Sequence, residues 1–422
     1  MDSERTSIKG DSPDARLSLG EAARRAFAGV VGATVHHAAR LMRGSVSATA
    51  EPDPGNVAVV CSAFLRYGAA QAIGLRQTGL NVTLYYVDKG SDFTGSEHDT
   101  ALLLSGARAA GVELVAVPRA RPRKLIADIV RLHRDLRRRK ISVAVVQSHI
   151  DPRYATLGFA QPVALFLHDP KPHTGDTLSA FSLPLRLIAR FAELTSACLI
   201  VHSTQLLEQI RPLLGAVPVG VVPHGADMAG TPSPVPAERR LLIFGRLFAY
   251  KGVDTALAAM SELPVDFSDV RLIVAGRGPL AELARGRPEV ELREEYIAES
   301  DIPGLLDQVR LVLLPYKDAT QSGVGLLAVA RGIPCVVSRA GGLPELVEDS
   351  SPGLVVAPDD PAQLAEAIVN YIDHEESLRA AIYEHSATHF AWPVVASRLR
   401  SELRRLSVGV AGGDPVVTAE RG

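Results

Sequence analysis

Short apolar runs alternate with longer helical patterns from residue 55 onward, and this alternation is the strongest constraint on the fold. The runs are apolar at successive positions, as in parallel strands that are covered on both faces. In the first half they lie at 57–61, 82–87, 112–117, 143–147, 163–168, 199–201 and 220–223. In the second half they lie at 241–244, 270–275, 311–314, 334–338 and 353–356. The sequence therefore predicts an α/β protein of two doubly wound, Rossmann-like domains. Ligands of such sheets bind beyond the carboxyl ends of the strands, so the cleft between the domains is the expected site.

Turn residues and composition divide the chain into five parts. Glycines and prolines are dense in residues 224–236, which are typical of a linker. We expect an N-terminal extension, a first Rossmann-like domain, a second Rossmann-like domain, a crossover helix and a flexible tail. Their predicted ranges are 1–54, 55–223, 224–391, 392–408 and 409–422.

The N-terminal extension has two interpretations. Arg24 and Arg25 precede a short apolar stretch and superficially imitate a twin-arginine export signal, although Arg40 and the histidines before it interrupt that stretch. Residues 19–41 also place apolar side chains on one helical face, which favours an amphipathic arm lying on the protein or on a membrane surface.

Cysteine content and hydropathy bear on the compartment. The three cysteines, Cys61, Cys198 and Cys335, are too scattered for a disulfide framework, and each lies in or beside an apolar run. They are expected to be buried thiols in a reducing compartment, which predicts a cytoplasmic protein. No apolar run reaches the roughly 18 residues of a membrane-spanning helix, so membrane association would be peripheral.

A cationic motif stands at the start of the second domain. A strand ends in Gly245 and Arg246, and Lys251 follows at a predicted helix start. Two cations beside a helix N-terminus can hold a diphosphate, because both the side chains and the helix end attract anions. The alternative is a solvated loop that carries an exposed Arg and Lys.

Two further segments of the second domain suggest ligand contact. Gly278 belongs to a glycine turn after a hydrophobic strand, where a plain strand-to-helix turn is the alternative. Thr320, Gln321, Ser322 and Gly323 precede a helix, whose bare N–H groups can bind an anion or sugar hydroxyls. The alternative is a helix cap with Thr320 or Ser322 as the N-cap residue.

Taken in order, these motifs resemble the retaining family 4 glycosyltransferases of the GT-B fold. The resemblance rests on Gly-Arg…Lys-Gly, Gly-x-Gly-Pro, a variant box, Gly-x-Pro…Val-Val and Gly-Gly-x-x-Glu at 245–252, 276–279, 319–324, 332–337 and 341–345. The first domain fits more loosely, through 222–227 and the strand-end residues 167–169. Residues 319–324 read Ala-Thr-Gln-Ser-Gly-Val where most members carry Glu-Gly-Phe-Gly.

The resemblance implies a function and roles for particular residues. It implies transfer of a hexosyl-type sugar from a nucleotide-diphosphate sugar to a hydroxyl acceptor, which is a glycan, a glycolipid or a lipid-linked saccharide. Arg246 and Lys251 would bind the diphosphate, and residues 320–323 the sugar. Gly68, Gly245 and Gly278 would line the donor site. His168, which ends a strand facing the predicted cleft, would lie near the sugar, although a core histidine is the alternative.

Two departures from the family pattern support a second function class. Family members carry glutamates at the positions of Ala319 and Leu327, where they hold the donor sugar and the nucleotide ribose. Either neighbouring polar groups replace these hydrogen bonds, or the chain is a catalytically silent sugar-nucleotide-binding or partner subunit.

Metal, membrane and nucleic acid are the remaining partner classes. The sequence has no Asp-x-Asp pair for a nucleotide-bound metal, so we expect a metal-independent enzyme without a cofactor. Residues 119–140 hold ten Lys and Arg against two Asp, with apolar residues at helical spacing. This segment is either a solvated helix face or a contact for an anionic membrane that carries the acceptor. Nucleic acid is not expected as a partner, because no aromatic residues for base stacking interleave with these charges.

Overall fold

The structure is a computed structural model that describes residues 55–62, 64–87, 97–119, 122–147, 151–168, 183–214 and 217–407. The predicted N-terminal arm, the possible export signal and the C-terminal tail lie outside these residues.

The first domain is a seven-stranded parallel sheet with helices on both faces. Its strands are β1 (Asn56–Cys61), β2 (Asn81–Val87), β3 (Glu113–Val117), β4 (Val143–Val146), β5 (Val163–Phe166), β6 (Cys198–Val201) and β7 (Val219–Val221). The strand order is β3-β2-β1-β4-β5-β6-β7, so the order reverses beside β1. Its helices are α1 (Leu65–Gln77), α2 (Glu97–Ala109), α3 (Leu125–Arg138), α4 (Pro152–Ala155), α5 (Leu183–Thr195) and α6 (Thr204–Leu214). Cores on the two faces of the sheet explain why the strands are largely apolar.

The second domain repeats this architecture with six parallel strands in the order β10-β9-β8-β11-β12-β13. The strands are β8 (Arg240–Phe244), β9 (Arg271–Ala275), β10 (Val290–Arg293), β11 (Leu311–Leu314), β12 (Cys335–Ser338) and β13 (Val355–Val356). The helices are α7 (Val253–Glu262), α8 (Ala281–Ala284), α9 (Ile302–Leu306), α10 (Gly323–Val329), α11 (Pro361–Tyr371) and α12 (Glu376–His389). The prediction of two doubly wound domains is confirmed.

Strand β10 was not predicted from the sequence. It reads Val-Glu-Leu-Arg, pairs only with β9 at the sheet edge, and all four residues are half-buried. An edge strand with one solvated face alternates apolar and polar residues over too short a span to stand out from loop sequence.

The last helix, α13 (Trp392–Ser407), returns to the first domain. Its Val395, Leu399 and Leu403 are fully buried in the core that also contains β1 and α1. The turn that leads into it is held by a hydrogen bond from the Ala226 N–H to the Phe390 carbonyl at 2.8 Å. The two domains are therefore joined by two chain crossings, one in each direction.

Candidate functional site

Glycine turns at the ends of β8 and β9 bring two loops into contact. Gly245, Gly276 and Gly278 all have positive φ, at 116°, 130° and 154°. A Cβ on Gly276 would lie 1.9 Å from the Gly245 carbonyl oxygen, and one on Gly278 would lie 2.5 Å from the Leu247 carbonyl oxygen. The Leu247 N–H also donates to the Arg277 carbonyl at 2.8 Å. The missing side chain of Gly278 thus serves loop packing, and its predicted donor contact stays a prediction.

The Lys251 ammonium is buried at the carboxyl end of the second sheet. The residue is 8% exposed, and its Nζ lies 4.0 Å from the centroid of the Tyr316 ring while donating to the Tyr316 hydroxyl. Burial lowers the pKa of Lys251 to about 8, and the nearby Arg246 lowers it further while Tyr250 opposes the shift. No carboxylate is among the groups that shift this pKa, so none is shown to balance the charge of the ammonium. An anion bound at this point would therefore interact with a partly desolvated cation.

Arg246 is exposed on the same loop, with its guanidinium 5.8 Å from the centroid of the Phe248 ring. It is close enough to Lys251 to lower that residue's pKa. A Cβ on Gly245 would lie 3.8 Å from the Lys251 Nζ, so the glycine leaves the ammonium uncovered on that side. The structure therefore brings the predicted cationic residues together at the carboxyl end of β8.

Ser322 is the N-cap residue of α10, as the helix-cap interpretation predicted. Its Oγ accepts a hydrogen bond from the Gly325 N–H at 3.2 Å and lies 3.1 Å from the Tyr316 hydroxyl. Lys251, Tyr316 and Ser322 thus form one hydrogen-bonded chain. The cap fixes the start of the helix and, through Tyr316, the position of the ammonium.

Gln321 is the residue of the box that approaches the first domain. A Cβ on Gly342 would meet the Gln321 Nε2 at 2.5 Å and the Ser203 Cβ at 2.8 Å, so the three residues converge across the cleft. Thr320 accepts from the Gly342 N–H at 3.1 Å through its carbonyl, and the Gly323 residue is exposed at the helix start.

The two positions that lack the family glutamates are apolar and packed. Ala319 is 7% exposed, and its carbonyl lies under Gly341, where a Cβ would approach to 1.7 Å. Leu327 packs its half-buried side chain against the core of the second domain. Neither position offers a polar side-chain atom, so any hydrogen bonds to a sugar must come from Gln321 and its neighbours.

His168 lies at the end of β5 in a chain of polar side chains. Its Nε2 is 3.0 Å from the Gln147 Oε1, and its Nδ1 is 3.0 Å from the His202 Nε2. The His202 Nδ1 lies 3.0 Å from the Val222 carbonyl oxygen, and Gln147 donates to Gln71. The ends of β4, β5, β6 and β7 thus contribute successive members of this relay.

The hydrogen bonds fix which ring nitrogens of the histidine pair act as donors. His202 must donate from Nδ1, because a carbonyl only accepts, so its neutral ring presents an Nε2 lone pair to His168. His168 then donates from Nδ1. His224, whose ring centroid lies 5.1 Å from that of His202, stays neutral, because burial lowers its pKa to about 4.

The first turn of α1 covers one face of His168. Phe64, which precedes the helix with a φ of 58°, stacks on the imidazole with ring centroids 4.4 Å apart. Gly68 lies one turn later inside the helix, where a Cβ would approach the Cys61 Sγ to 2.0 Å. Gly68 therefore lies inside a helix and packs against β1. Its role in donor binding stays a prediction.

The cleft is closed in part by polar contacts between the domains. The Glu345 Oε1 accepts hydrogen bonds from the Thr204 N–H at 2.8 Å and the Gln205 N–H at 3.3 Å, so a carboxylate of the second domain caps α6 of the first. Arg66 and Glu299 form an ion pair across the same cleft. Burial raises the pKa of Glu345, while both backbone hydrogen bonds oppose that shift.

Sequence reasoning missed Tyr316, His202 and Glu345 as parts of the site. Each follows or lies near a strand end, which is a usable signal, but three-dimensional strand order decides which strand ends meet. Three of the predicted residues contact these missed ones: Lys251 and Ser322 contact Tyr316, and His168 contacts His202.

Solved structures with the same two-domain arrangement show which fold the chain has. Sucrose-phosphate synthase from Thermosynechococcus elongatus superposes with a TM-score of 0.62 and 17% identity, covering 83% of this chain and 98% of that one. Anabaena Alr3699/HepE in complex with UDP-glucose gives a TM-score of 0.62 and 16% identity, covering 83% of this chain and all of the other. The chain has the GT-B fold.

Comparison of the amino-acid sequence with known proteins identifies a related family and individual relatives. Residues 238–374 match the family model "Glycosyl transferases group 1". The chain is 28% identical over 240 residues to a glycogen synthase of Mycobacterium tuberculosis, covering 53% of this chain and 58% of that protein. It is 27% identical over 266 residues to a GDP-mannose-dependent alpha-(1-6)-phosphatidylinositol dimannoside mannosyltransferase of the same organism, covering 58% and 69%. The alignment thus spans little more than half of the first relative's length.

Proposed function

We propose that this protein is a retaining, metal-independent glycosyltransferase that moves a hexosyl-type sugar from a nucleotide-diphosphate sugar to a hydroxyl acceptor. The observation that carries the proposal is the buried Lys251 ammonium, tied through Tyr316 to Ser322 in the box beside the cleft. The match of residues 238–374 to a glycosyltransferase family and the UDP-glucose bound by Alr3699/HepE support a nucleotide-sugar donor.

In this proposal the two cations of the second domain drive departure of the diphosphate. Negative charge develops on the leaving phosphate oxygen as the sugar–oxygen bond breaks, and Arg246 and Lys251 stabilise that charge most strongly where water is excluded. The acceptor hydroxyl enters on the same face of the sugar and passes its proton to a leaving-group oxygen, which retains the anomeric configuration. Gln321 holds sugar hydroxyls, and His168 lies near the sugar from the first domain.

The test is transfer from a panel of UDP-, GDP- and dTDP-sugars to glycan and lipid-linked acceptors, with the product anomer determined by NMR. We expect one donor class to be used, the donor's anomeric configuration to be kept, and turnover to survive exhaustive EDTA treatment. An inverted product contradicts the retaining mechanism. Loss of turnover with EDTA that Mg²⁺ or Mn²⁺ restores contradicts metal independence.

The second candidate is a silent sugar-nucleotide-binding or partner subunit, and the apolar residues at Ala319 and Leu327 favour it. Binding of the nucleotide part alone would then be insensitive to the attached sugar. Saturation-transfer NMR separates the two candidates. In an enzyme that holds the sugar, saturation passes from the protein to the sugar protons as well as to the base protons, whereas in a subunit that binds only the nucleotide part it reaches the base protons. The buried Lys251 favours the enzyme, since an uncompensated buried cation destabilises the folded chain without a ligand.

We also propose that α3 lies against an anionic membrane. Arg138, the last residue of α3, and Arg139, which follows it, form ion pairs with Asp135 within the domain. The exposed residues of α3 also include Arg131, Arg134 and two apolar residues, Ile126 and Val130, of which Ile126 is 79% exposed. A helix that exposes both cations and apolar side chains is typical of a membrane interface. Among the described helices, none combines the length and apolar character that a bilayer span requires.

The membrane proposal is tested by sedimentation with vesicles. Reversal of Arg131 and Arg134 to Glu should abolish binding to phosphatidylglycerol vesicles, and salt should weaken binding of the wild type. Phosphatidylcholine vesicles are the control. Equal binding by the wild type and the variant at low salt would mean that α3 is a solvated face.

A further inference from the structure

Two histidines and an aspartate converge on the side of the second domain where the chain crosses back to the first. His385 and His389 are one turn apart on α12, and their rings stack with centroids 4.2 Å apart. Asp349 reaches them from the loop after β12. One potential ligand atom from each of the three residues lies within 4.8 Å of those of the other two. Two histidines at i and i+4 present their rings from one helix face, which is suitable geometry for a shared ion.

The tautomer of His389 is fixed by its hydrogen bonds. Its Nδ1 lies 2.9 Å from the His385 carbonyl oxygen and 3.0 Å from the Thr388 Oγ1. The Thr388 hydroxyl donates its proton to backbone carbonyls, so it can only accept from the ring. Nδ1 therefore carries the proton, and Nε2 presents its lone pair outward. Metal-bound histidines are commonly held in this way, with the other ring nitrogen donating to a carbonyl.

His385 has a buried ring nitrogen in need of a partner. Its Nε2 is inaccessible to solvent and has no hydrogen-bond partner among the described residues. The ring also hydrogen-bonds to the Glu345 backbone, which must use Nδ1, since Nε2 makes no such bond. His385 therefore shares the arrangement of His389: one nitrogen is tied to the main chain, and the other is left to accept. A buried acceptor without a partner is unfavourable, and an ion would satisfy it.

We propose that Asp349, His385 and His389 bind a divalent late first-row transition-metal ion, with Zn²⁺ the expected one. Two imidazole nitrogens and one carboxylate oxygen are ligands that zinc prefers, and a water completes the tetrahedron at the exposed Asp349 side. Mg²⁺ and Ca²⁺ are disfavoured, because they require mostly oxygen ligands. This site is separate from the cationic site for the donor and independent of the proposed transfer reaction.

The position of the site indicates what the ion does. Asp349 lies four residues after Glu345, whose carboxylate caps α6 of the first domain, and the His385 ring holds the Glu345 backbone. An ion that joins Asp349 to α12 braces the segment that carries this contact between the domains. The ion is therefore structural, and it stabilises the closed arrangement.

The experiment uses the tag-free full-length protein after removal of metals by chelator and dialysis. Titration calorimetry with ZnCl₂ should show one ion bound per chain, and Co²⁺ should give the visible absorption of a tetrahedral site. Zn²⁺ should also raise the thermal unfolding midpoint, because it binds only the folded chain. No sugar nucleotide is present, so the outcome is distinguishable from failure of the proposed transfer activity.

His389→Gln and Asp349→Asn should each weaken Zn²⁺ binding by about tenfold to a hundredfold, as loss of a metal ligand or its support does. Both residues reach the surface, and thermal unfolding without metal confirms that each variant is folded. His133→Gln on α3 is the matched control and should bind Zn²⁺ like the wild type. Absence of stoichiometric binding, or equal affinity in all three variants, would overturn the proposal.

Discussion

The Lys251 ammonium lies 4.0 Å from the centroid of the Tyr316 ring and donates a hydrogen bond to the hydroxyl of that same residue. This contact holds a cation at the strand ends with little help from solvent. The aromatic ring attracts the ammonium, but burial still lowers the lysine pKa to about 8. The buried charge therefore lowers the stability of the folded chain.

Replacing Lys251 should therefore weaken donor binding and at the same time increase the stability of the ligand-free chain. Lys251→Met should weaken donor binding by about 1.5–3 kcal/mol, the usual worth of a charge-assisted contact. The ligand-free variant should unfold at a higher temperature than the wild type, because the desolvated charge is gone. Calorimetric titration with the donor and thermal unfolding at pH 7 measure the two effects. Lys317→Met is the control, since Lys317 pairs with Asp254 and Asp359 at the surface. Unchanged donor affinity in Lys251→Met would remove Lys251 from the binding site.

Donor binding should depend on pH through Lys251. Affinity should fall as pH rises through about 8, because the ammonium loses the proton that gives it charge. Titrations in buffers of different ionisation enthalpy should show proton uptake above about pH 8 and none near pH 6.5, where the lysine is already charged.

The same lowered pKa predicts the opposite trend for the stability of the ligand-free chain. Between about 8 and 10.5 the unfolded chain binds more protons at this lysine than the folded chain does, so this contribution to stability increases with pH. In Lys251→Met, neither the donor affinity nor the stability of the ligand-free chain should show this pH dependence. A donor affinity that is flat across this range in the wild type would contradict the assignment.

Gln321 and Ser322 should respond differently to substitution. Gln321→Ala should lower turnover by roughly tenfold to a hundredfold, or about 1.4–2.8 kcal/mol, because a sugar hydroxyl loses its partner. Ser322→Ala should chiefly lower stability, by about 1 kcal/mol, through loss of the α10 cap. Steady-state kinetics and thermal unfolding of both variants separate these effects. Full activity in Gln321→Ala would show that the sugar is recognised elsewhere.

Glu345 should control how the domains meet. Glu345→Ala should speed hydrogen exchange at the Thr204 and Gln205 amides and lower stability by about 1–2 kcal/mol, the cost of a lost helix cap. Glu345→Gln should recover part of the effect, because its amide oxygen can still accept. Glu348→Ala, at an exposed pair with Arg339, is the control. Exchange rates in Glu345→Ala that match this control would show that the cap contributes nothing.

The sequence predicted the fold well because parallel strands covered on both faces are apolar at every position. That signal holds for β1, β4 and β11, and it fails for β10, in which the half-buried Glu291 and Arg293 interrupt the apolar run. The cationic motif was equally accessible, since Gly245, Arg246 and Lys251 are close in the chain.

The relay of the first domain could not be predicted in the same way. His168 and His202 are 34 residues apart in the chain, and they meet because β5 and β6 are neighbours in the sheet. The residue after each strand was visible as a candidate, but the strand order that pairs them depends on packing of the whole domain. Tyr316 and Lys251 meet for the same reason, since β8 and β11 are adjacent.

The return of α13 to the first domain also affects how the protein is made. The apolar surface of β1 and α1 that receives Leu399 and Leu403 is synthesised early, whereas those leucines emerge from the ribosome after the whole second domain. About 320 residues separate the end of α1 from Leu399, so at about 5–20 residues per second that surface waits roughly 15 to 65 seconds for its partner. The nascent first domain is therefore a natural client for chaperones, and the second domain can finish folding before the first.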